Sequence, residues 1–363
     1  MSVGMPVIDV FSGGGGLPLG AHLAGFKTVT AIEVDADLSS SYAKNFPEVD
    51  LVVGDLQAIE AERLRVSGPF GMVGGPPCQG FSEIGRLADD DPRKTLLNTF
   101  CRRVAELNPS FFVIENVRGL LFERNRMFLS AALETIPSRY RVLEPMLLNA
   151  ADYGAPTERK RVFIVGYAPD VIGHLDPATL QSSTVAEEAK TTVRDAFEGI
   201  GDAVLVSLED GYDRWRMCAA PRQGSYAASL ASEDMTFTGN RAVAHSAAVT
   251  SRFETVPEGG VDRVGRHPRL AWDGRAPTIR AGTGADKGSF QSVRPLHPSE
   301  PRVITVREAA RLQGFPDQHL FHPTAWHSFR MIGNSVPPRM AAAVLSWIAD
   351  AANLRQPSAV AAE

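Results

Sequence analysis

The sequence is poor in cysteine and has no long uninterrupted apolar run. Its 363 residues include three cysteines, Cys78, Cys101 and Cys218, and their odd number and spacing argue against a disulfide framework and against a zinc site. No apolar run approaches the roughly 20 residues that a membrane helix needs. The N-terminus lacks the features of a secretory signal. We therefore expect a cytoplasmic protein with no membrane contact and no bound metal.

Basic residues are in slight deficit. The chain has 37 Lys and Arg against 42 Asp and Glu, a formal net charge of −5, whereas phosphate binding depends on Lys and Arg. The charge is uneven, because basic residues outnumber acidic ones between positions 240 and 295. Such a stretch is also typical of a solvated surface, so net charge neither excludes nor establishes a nucleic-acid ligand. The basic residues of this stretch are Arg241, Arg252, Arg263, Arg266, Arg269, Arg275, Arg280, Lys287 and Arg294.

Short apolar strands alternate with helical patterns through the first half of the chain. This alternation is typical of a doubly wound α/β sheet with helices on both faces. A connecting helix is predicted over 93–107, where apolar residues recur at helical spacing. The predicted strands are 7–11, 29–34, 51–53, 72–73, 111–114, 141–148 and 162–165.

The alternation stops after Tyr167, and polar and small residues dominate the following hundred positions. Helical patterns return at 305–313 and 339–349, which suggests that the chain rejoins the first domain after an inserted, smaller one. The predicted parts are 1–179 for the first part of the catalytic and cofactor-binding domain, 180–298 for the small inserted domain, and 299–363 for a return segment that ends in a frayed tail.

A glycine-rich turn follows the first predicted strand. It reads Ser12-Gly13-Gly14-Gly15-Gly16-Leu17, and glycines there let the backbone approach a ligand at the start of a helix. Glu33 ends the second strand, where a carboxylate suits ribose hydroxyls. Asp55 ends the third, where it could accept an adenine amino proton or cap a helix. These features indicate a nucleotide-like cofactor, although glycine turns also serve plain packing and Glu33 could be a solvated surface residue.

A rigid loop carries the most informative cysteine. Cys78 lies in Pro76-Pro77-Cys78-Gln79-Gly80-Phe81-Ser82, where the prolines restrict the backbone. A thiolate held there can act as a nucleophile, although most isolated cysteines are packing residues. Glu115 follows the next strand, and Arg159 and Arg161 precede a later one. Because parallel strands end at one edge of a sheet, we expect the cysteine, the glutamate and the glycine turn to share one crevice.

Five segments, in this order, resemble motifs of the C5-cytosine DNA methyltransferase family, and the resemblance covers nearly the whole chain. Residues 9–17 resemble the first cofactor motif, 76–82 the nucleophile loop and 115–117 the acid motif. Residues 307–317 and 333–338 resemble the last two conserved blocks. The resemblance implies a Rossmann-like, S-adenosylmethionine-dependent methyltransferase sheet with a smaller inserted target-recognition domain.

The resemblance also implies a mechanism. Cys78 would add to carbon 6 of a cytosine flipped out of duplex DNA and thereby activate carbon 5 for methylation. Glu115 would act as the acid at ring nitrogen 3, Arg161 would hold the carbonyl oxygen, and Arg159 a nearby phosphate. No base for the carbon 5 proton is identified. The residues expected to bind the cofactor are Phe11, Ser12, Gly13, Gly15, Gly16, Leu17, Glu33, Val34, Asp55, Leu56, Pro76, Asn334, Ser335 and Val336.

The expected partners are double-stranded DNA, contacted by arginines of 180–298, and a cognate restriction endonuclease acting on the same site. The chain is expected to be a monomer. No simple code relates an inserted domain to its target, so no target sequence is predicted.

Two positions depart from the family pattern. Thr157 replaces the glutamine usual before the paired arginines, and Val34 stands where some members place an aromatic residue.

Three alternative functions are disfavoured. A tRNA cytosine-5 methyltransferase would carry a Cys-Phe-Thr block, which is missing; a nicotinamide-dependent oxidoreductase gives the Pro-Pro-Cys loop no role; and a non-catalytic DNA-binding regulator needs neither Cys78 nor Glu115.

Overall fold

The computed structural model of the chain describes residues 4–77, 95–282 and 293–352. The strands are β1 Pro6–Val10, β2 Lys27–Glu33, β3 Asp50–Val53, β4 Gly71–Gly74, β5 Phe111–Val117, β6 Arg141–Val142, β7 Met146–Asn149, β8 Thr157–Glu158, β9 Lys160–Tyr167, β10 Val204–Glu209, β11 Tyr212–Arg216, β12 Thr236–Thr238 and β13 Ala276–Pro277. The helices are α1 Gly16–Leu23, α2 Ala36–Asn45, α3 Thr95–Leu107, α4 Glu123–Leu133, α5 Pro177–Ser182, α6 Val193–Phe197, α7 Tyr226–Leu230, α8 Ala247–Glu254, α9 Val306–Gln313, α10 Ala325–Asn334 and α11 Pro338–Ala351. None of these described helices combines the length and hydropathy that a membrane span requires.

The central sheet has eight strands in the order β3-β2-β1-β4-β5-β9-β6, with β7 also paired to β9. Strands β1 to β5 run parallel to one another, whereas β9 is antiparallel to β5, β6 and β7. The predicted α/β fold with a mostly parallel sheet is therefore confirmed. Because β9 runs the opposite way, its first residues lie at the edge where β5 ends, and Arg161 pairs with Val117.

The predicted strand over 141–148 is two strands, β6 and β7, and this prediction was wrong in its continuity. Pro145 lies between them and has no N–H to donate to a neighbouring strand, which favours a break in the ladder. Leu143 keeps one hydrogen bond to the sheet, since its amide donates to Val165 O at 2.9 Å.

Successive residues of β1 serve two different cores, as side-chain alternation along a strand requires. Val7 packs in a core that includes Val344 and Ile348 of α11. Ile8 points to the other face, into a core with Phe100 and Val104 of α3. Helices therefore cover both faces of the sheet, and α11, from the end of the chain, contributes to the same core as β1.

A separate three-stranded antiparallel sheet, β10-β11-β12, lies within 180–298. Its first two strands are joined at Asp210 and Gly211, whose φ angles of 53° and 80° suit a tight two-residue hairpin turn. The core beside this sheet includes Phe237 together with Leu312 of α9 and Phe329 of α10. Residues on both sides of position 298 thus share one core, and the predicted domain boundaries stay a prediction.

Candidate functional site

A cavity of about 420 Å³ lies at the edge where the parallel strands end. Its wall is built from the segments that follow β1, β2, β3 and β4, from the end of β5, from the start of β9 and from residues 333–336. Every predicted site residue that the structure describes lines this cavity except Gly15. Cys78 lies outside the described residues, although Pro76 and Pro77 are part of the wall. The structure thus brings the predicted cofactor and catalytic residues together, and their roles stay predictions.

The glycine turn is packed against the segment that closes α10. A Cβ atom on Gly16 would lie 2.1 Å from Val336 O, and one on Gly14 would lie 2.9 Å from Ser335 Oγ. The contact with the Val336 backbone leaves no room for a side chain at position 16, and a side chain at position 14 would require Ser335 to move. Val336 is buried, whereas Asn334 is exposed at the end of α10 and faces the cavity. The turn and the return segment therefore form one wall.

Gly15 corrects one prediction. It does not line the cavity: its φ is 86°, and a Cβ atom there would lie 2.6 Å from the Phe46 ring. Gly15 instead forms the backbone turn before α1, as the N-cap residue of that helix.

Asp55 lines the cavity, and its Oδ1 accepts the Gln57 amide at 2.9 Å. The helix N-cap considered for Asp55 is not found, because residues 56–58 form a turn and not a helix.

Glu33 is not a solvated surface residue, since its side chain is buried at the cavity wall. Its Oε2 accepts the Gly13 amide at 2.8 Å and its Oε1 accepts the Asp35 amide at 2.9 Å. Burial raises the pKa of this carboxyl, and the two backbone hydrogen bonds oppose part of the rise. A carboxylate has further lone pairs, so Glu33 can shape the glycine turn and still accept from a ligand.

Glu115 and Arg161 form an ion pair in the opposite part of the cavity wall. Arg161 Nε lies 2.9 Å from Glu115 Oε1, and the side chains are 13% and 9% exposed respectively. Burial raises the pKa of Glu115, while Arg161 and Arg159 oppose part of that rise. A carboxyl with a raised pKa retains its proton to higher pH, which is what a general acid requires. The antiparallel direction of β9 is what places Arg161 here.

Arg159 lies elsewhere than expected. Only 1% of this residue is exposed, and its guanidinium donates to Ile279 O at 3.2 Å, Gly333 O at 2.8 Å and Ser335 O at 2.9 Å. The expected contact with a DNA phosphate is wrong for this arrangement, because the N–H groups are directed at backbone carbonyls inside the protein. Arg159 instead ties the start of β9 to the wall formed by residues 333–336.

Several cavity residues were missed in the sequence, among them Asn116, Asp35 and Arg330. Asn116 Nδ2 donates to Pro76 O at 3.1 Å, which anchors the backbone two residues before Cys78. Asp35 caps α2 and pairs with Arg330 of α10. Asn116 was visible as the middle residue of the acid motif. The Asp35–Arg330 pair joins residues 295 positions apart and left no local pattern.

A cluster of Asp37, His322 and His327 is the one group within the described residues whose geometry resembles a metal site. Their ligand atoms lie within 4.8 Å of one another. However, His322 Nδ1 accepts the Thr324 amide at 3.0 Å, so in the neutral ring the proton is on Nε2. That arrangement leaves His322 poorly suited to bind a metal through Nε2.

The fold and the cavity define an α/β protein with a cavity beside a buried carboxyl at the carboxyl edge of its parallel strands, where proteins of this architecture bind their ligands. Comparison with protein families makes this specific. The model of the C-5 cytosine-specific DNA methylases matches residues 5–350, so the chain belongs to this family. The predicted family, and with it the prediction of a DNA cytosine-5 methyltransferase enzyme, is confirmed.

Individual relatives agree with this assignment. The chain is 39% identical to the Type II methyltransferase M.XorII of Xanthomonas oryzae pv. oryzae, over 93% of this chain and 82% of the relative. It is 32% identical to the Type II methyltransferase M.DdeI of Desulfomicrobium norvegicum, over 96% and 90%. A crystal structure titled as a prophage-encoded DNA modification methyltransferase from E. coli has a TM-score of 0.83 at 35% identity, covering 96% of this chain and 99% of the other.

Proposed function

We propose that the protein transfers a methyl group from S-adenosylmethionine to carbon 5 of a cytosine flipped out of a specific duplex DNA sequence, through a covalent adduct of Cys78. Family membership supports the reaction class. The observation that carries the residue roles is the buried Glu115–Arg161 pair, which shares one cavity with the Glu33 carboxylate and with the prolines before Cys78.

The cofactor end of the cavity suits S-adenosylmethionine. Glu33, Asp35 and Asp55 provide carboxylates beside the exposed apolar side chain of Val34, which is 66% exposed. A cationic ligand with hydroxyl groups, an amino group and a flat ring needs acceptors and apolar surface of this kind. Bound there, the cofactor supplies an electrophilic methyl group.

The chain's own residues supply the activation of cytosine. The Cys78 thiolate forms a bond to carbon 6, and the electrons of the ring double bond move towards nitrogen 3, where Glu115 donates its proton. Arg161 stabilises the negative charge that develops on the neighbouring carbonyl oxygen. After methylation, the carbon 5 proton is lost to a base, the nitrogen 3 proton returns to Glu115, and the restored double bond expels the Cys78 thiolate. Asn116 fixes the backbone two residues before Cys78 by donating a hydrogen bond to Pro76 O.

The burial of Glu115 supports base flipping. Its side chain is 9% exposed, so a base stacked in a duplex cannot reach it. Extrusion of the base costs a few kcal/mol of stacking and pairing, which contacts between protein and DNA must offset. We assign most of those contacts to residues 180–298, as a target-recognition domain.

The function is tested by bisulfite sequencing of DNA from cells that express the protein, with cells that express Cys78→Ser as the matched control. We expect protected cytosines at one recurring sequence in the first sample alone. Absence of protected cytosines in DNA, or protection confined to RNA, would contradict the proposal.

Glu33→Ala is expected to weaken S-adenosylmethionine binding by about 1–3 kcal/mol, the usual effect of removing a charged hydrogen-bond partner. The substitution also releases the Gly13 amide from its acceptor. Isothermal titration calorimetry measures the change. Glu62→Ala is the control, since Glu62 is an exposed residue that pairs only with Arg65 among the contacts described. Unchanged affinity in Glu33→Ala would remove Glu33 from the cofactor site.

The arginines proposed for DNA contact divide by burial. Arg241, Arg263 and Arg266 are exposed, whereas Arg269 is buried, and its guanidinium donates to the carbonyls of Phe253, His297, Pro298 and Glu300. Arg269 was therefore wrongly expected to contact DNA, and it holds loops of the protein together instead. Arg252 pairs with Asp262 at 3.2 Å.

This division leads to opposite outcomes for two substitutions. Arg266→Ala should weaken DNA binding and, if it meets a phosphate, lower the salt slope by about one; if it meets a base edge, it should cost roughly 1–3 kcal/mol at the cognate site. Arg269→Ala should instead lower the melting temperature, because four carbonyls lose their donor. Filter binding at several salt concentrations and thermal unfolding separate the two. Equal thermal destabilisation by both substitutions would contradict the assignment.

The names of the relatives as Type II methyltransferases support a cognate restriction endonuclease as a partner that acts on the same DNA sequence. Monomeric state and cytoplasmic location stay predictions.

A further inference from the structure

His319 is a buried histidine that contacts the glycine turn from outside the cavity. It lies between α9 and α10, is 2% exposed, and its Nε2 is 3.0 Å from Gly14 O. Asn45 Nδ2 is 3.3 Å from the same nitrogen, but it already donates to Ser41 O at 2.9 Å and Leu320 O at 2.7 Å. Since a carbonyl can only accept, Nε2 carries the ring proton and donates it to Gly14.

The surroundings of His319 hold its ring in one place and one charge state. The rings of Phe46, Phe315 and Phe321 have centroids 6.1, 4.8 and 4.9 Å from it. Burial, together with the charge of Arg307, lowers the pKa of His319 to about 3. The ring is therefore neutral at physiological pH and offers a single donor to the turn.

The backbone of His319 is fixed as well. Arg307, which is fully buried, donates from its terminal nitrogen to His319 O at 2.9 Å and from Nε to Thr238 O at 3.0 Å. Thr238 ends β12 of the small sheet. Arg307 therefore fixes both the backbone of His319 and the end of β12 in the three-stranded sheet.

We propose that His319 is a positioning residue of the cofactor site, which acts by holding the Gly14 carbonyl away from the cavity and so fixing the glycine turn. The turn needs such a restraint because successive glycines have the largest conformational freedom of any residues. Gly14 O is directed to His319, and the Gly15 amide donates to Ser12 O at 3.0 Å. Loss of the His319 bond would let the peptide between Gly14 and Gly15 rotate. The inference rests on the proposed function only for the identity of the cofactor.

The test compares His319→Leu, which removes the donor, with His319→Gln, which keeps an N–H donor, and with Phe321→Leu, which changes the same aromatic surroundings without touching the bond. We expect His319→Leu to weaken S-adenosylmethionine binding by about 10- to 100-fold, the effect of leaving a buried carbonyl unsatisfied. His319→Gln should stay within about threefold of wild type. DNA affinity should not change in any of the three.

A second measurement needs no cofactor. Hydrogen exchange of the Gly15 amide in the unliganded protein should be faster in His319→Leu than in wild type, and near wild type in His319→Gln and Phe321→Leu. Equal exchange in all four proteins, or equal loss of cofactor affinity in His319→Leu and Phe321→Leu, would overturn the inference. If wild type binds no S-adenosylmethionine, the proposed function fails, while the exchange result still decides whether His319 restrains the turn.

Discussion

Cys78→Ser is expected to abolish turnover, with residual methylation below a few per cent of wild type, while S-adenosylmethionine binding stays nearly unchanged. The thiolate is the reacting form of cysteine, and a hydroxyl is far less ionised at neutral pH. Pro76 and Pro77, which line the cavity, are retained, so the cofactor site should persist. Transfer of labelled methyl groups to plasmid DNA, together with calorimetry, measures both quantities. Substantial methylation by Cys78→Ser would remove Cys78 from the role of nucleophile.

The other two cysteines provide matched controls. Burial raises the pKa of Cys101 to about 12, so its thiol is not ionised at neutral pH. Cys218 is exposed, with its Sγ 2.9 Å from Asp202 O. Cys101→Ala and Cys218→Ser should both retain methylation.

DNA containing 5-fluorocytosine should trap wild type as a denaturation-resistant adduct, because fluorine replaces the proton lost in the last step. Cys78→Ser should form no such adduct.

The cavity was predictable because it depends on a topological rule rather than on side-chain detail. Glu33, Asp55 and Glu115 come at or just after the ends of strands that the apolar pattern marks clearly, and parallel strands end at one edge. The proximity of these three carboxylates therefore follows from the arrangement of the strands, without knowledge of any side-chain contact. The glycine turn was predictable for the same reason, since it follows β1 of the same parallel sheet. Its close approach to Val336, which leaves no room for a side chain on Gly16, is visible only in the folded chain.

The direction of β9 and the contacts between residues far apart in the sequence were not predictable in this way. The apolar residues of β9 read the same in a parallel or an antiparallel strand, so the Glu115–Arg161 pair was not foreseen. Arg159 and Arg269 look like any arginine in the sequence, yet both are buried against backbone carbonyls, and only the packed chain shows this. The hairpin at Asp210-Gly211 did have a local signal, since this dipeptide favours two-residue turns, and it was overlooked.

Glu115→Gln is expected to reduce the rate of methylation by about 10²- to 10⁴-fold, the usual contribution of a general acid. Glutamine keeps the shape and an N–H donor but cannot release a proton to nitrogen 3. The control is Glu106→Gln, which breaks the Arg103–Glu106 pair on α3, whose charged atoms are 2.6 Å apart. Because Glu106 does not line the cavity, its variant should methylate at the wild-type rate. Single-turnover kinetics on a cognate duplex measures the step directly.

The pH dependence separates proton donation from a merely structural role of Glu115. Burial raises its pKa, so wild type holds the active, protonated form at low pH and loses it as the pH rises through this raised value. The rate should therefore fall on the alkaline side, and Glu115→Gln should lack that fall. Arg161 lowers the pKa of Glu115, so in Arg161→Gln the remaining activity should fall at higher pH than in wild type. A fall that persists in Glu115→Gln, or one that moves to lower pH in Arg161→Gln, would show that another group carries the proton.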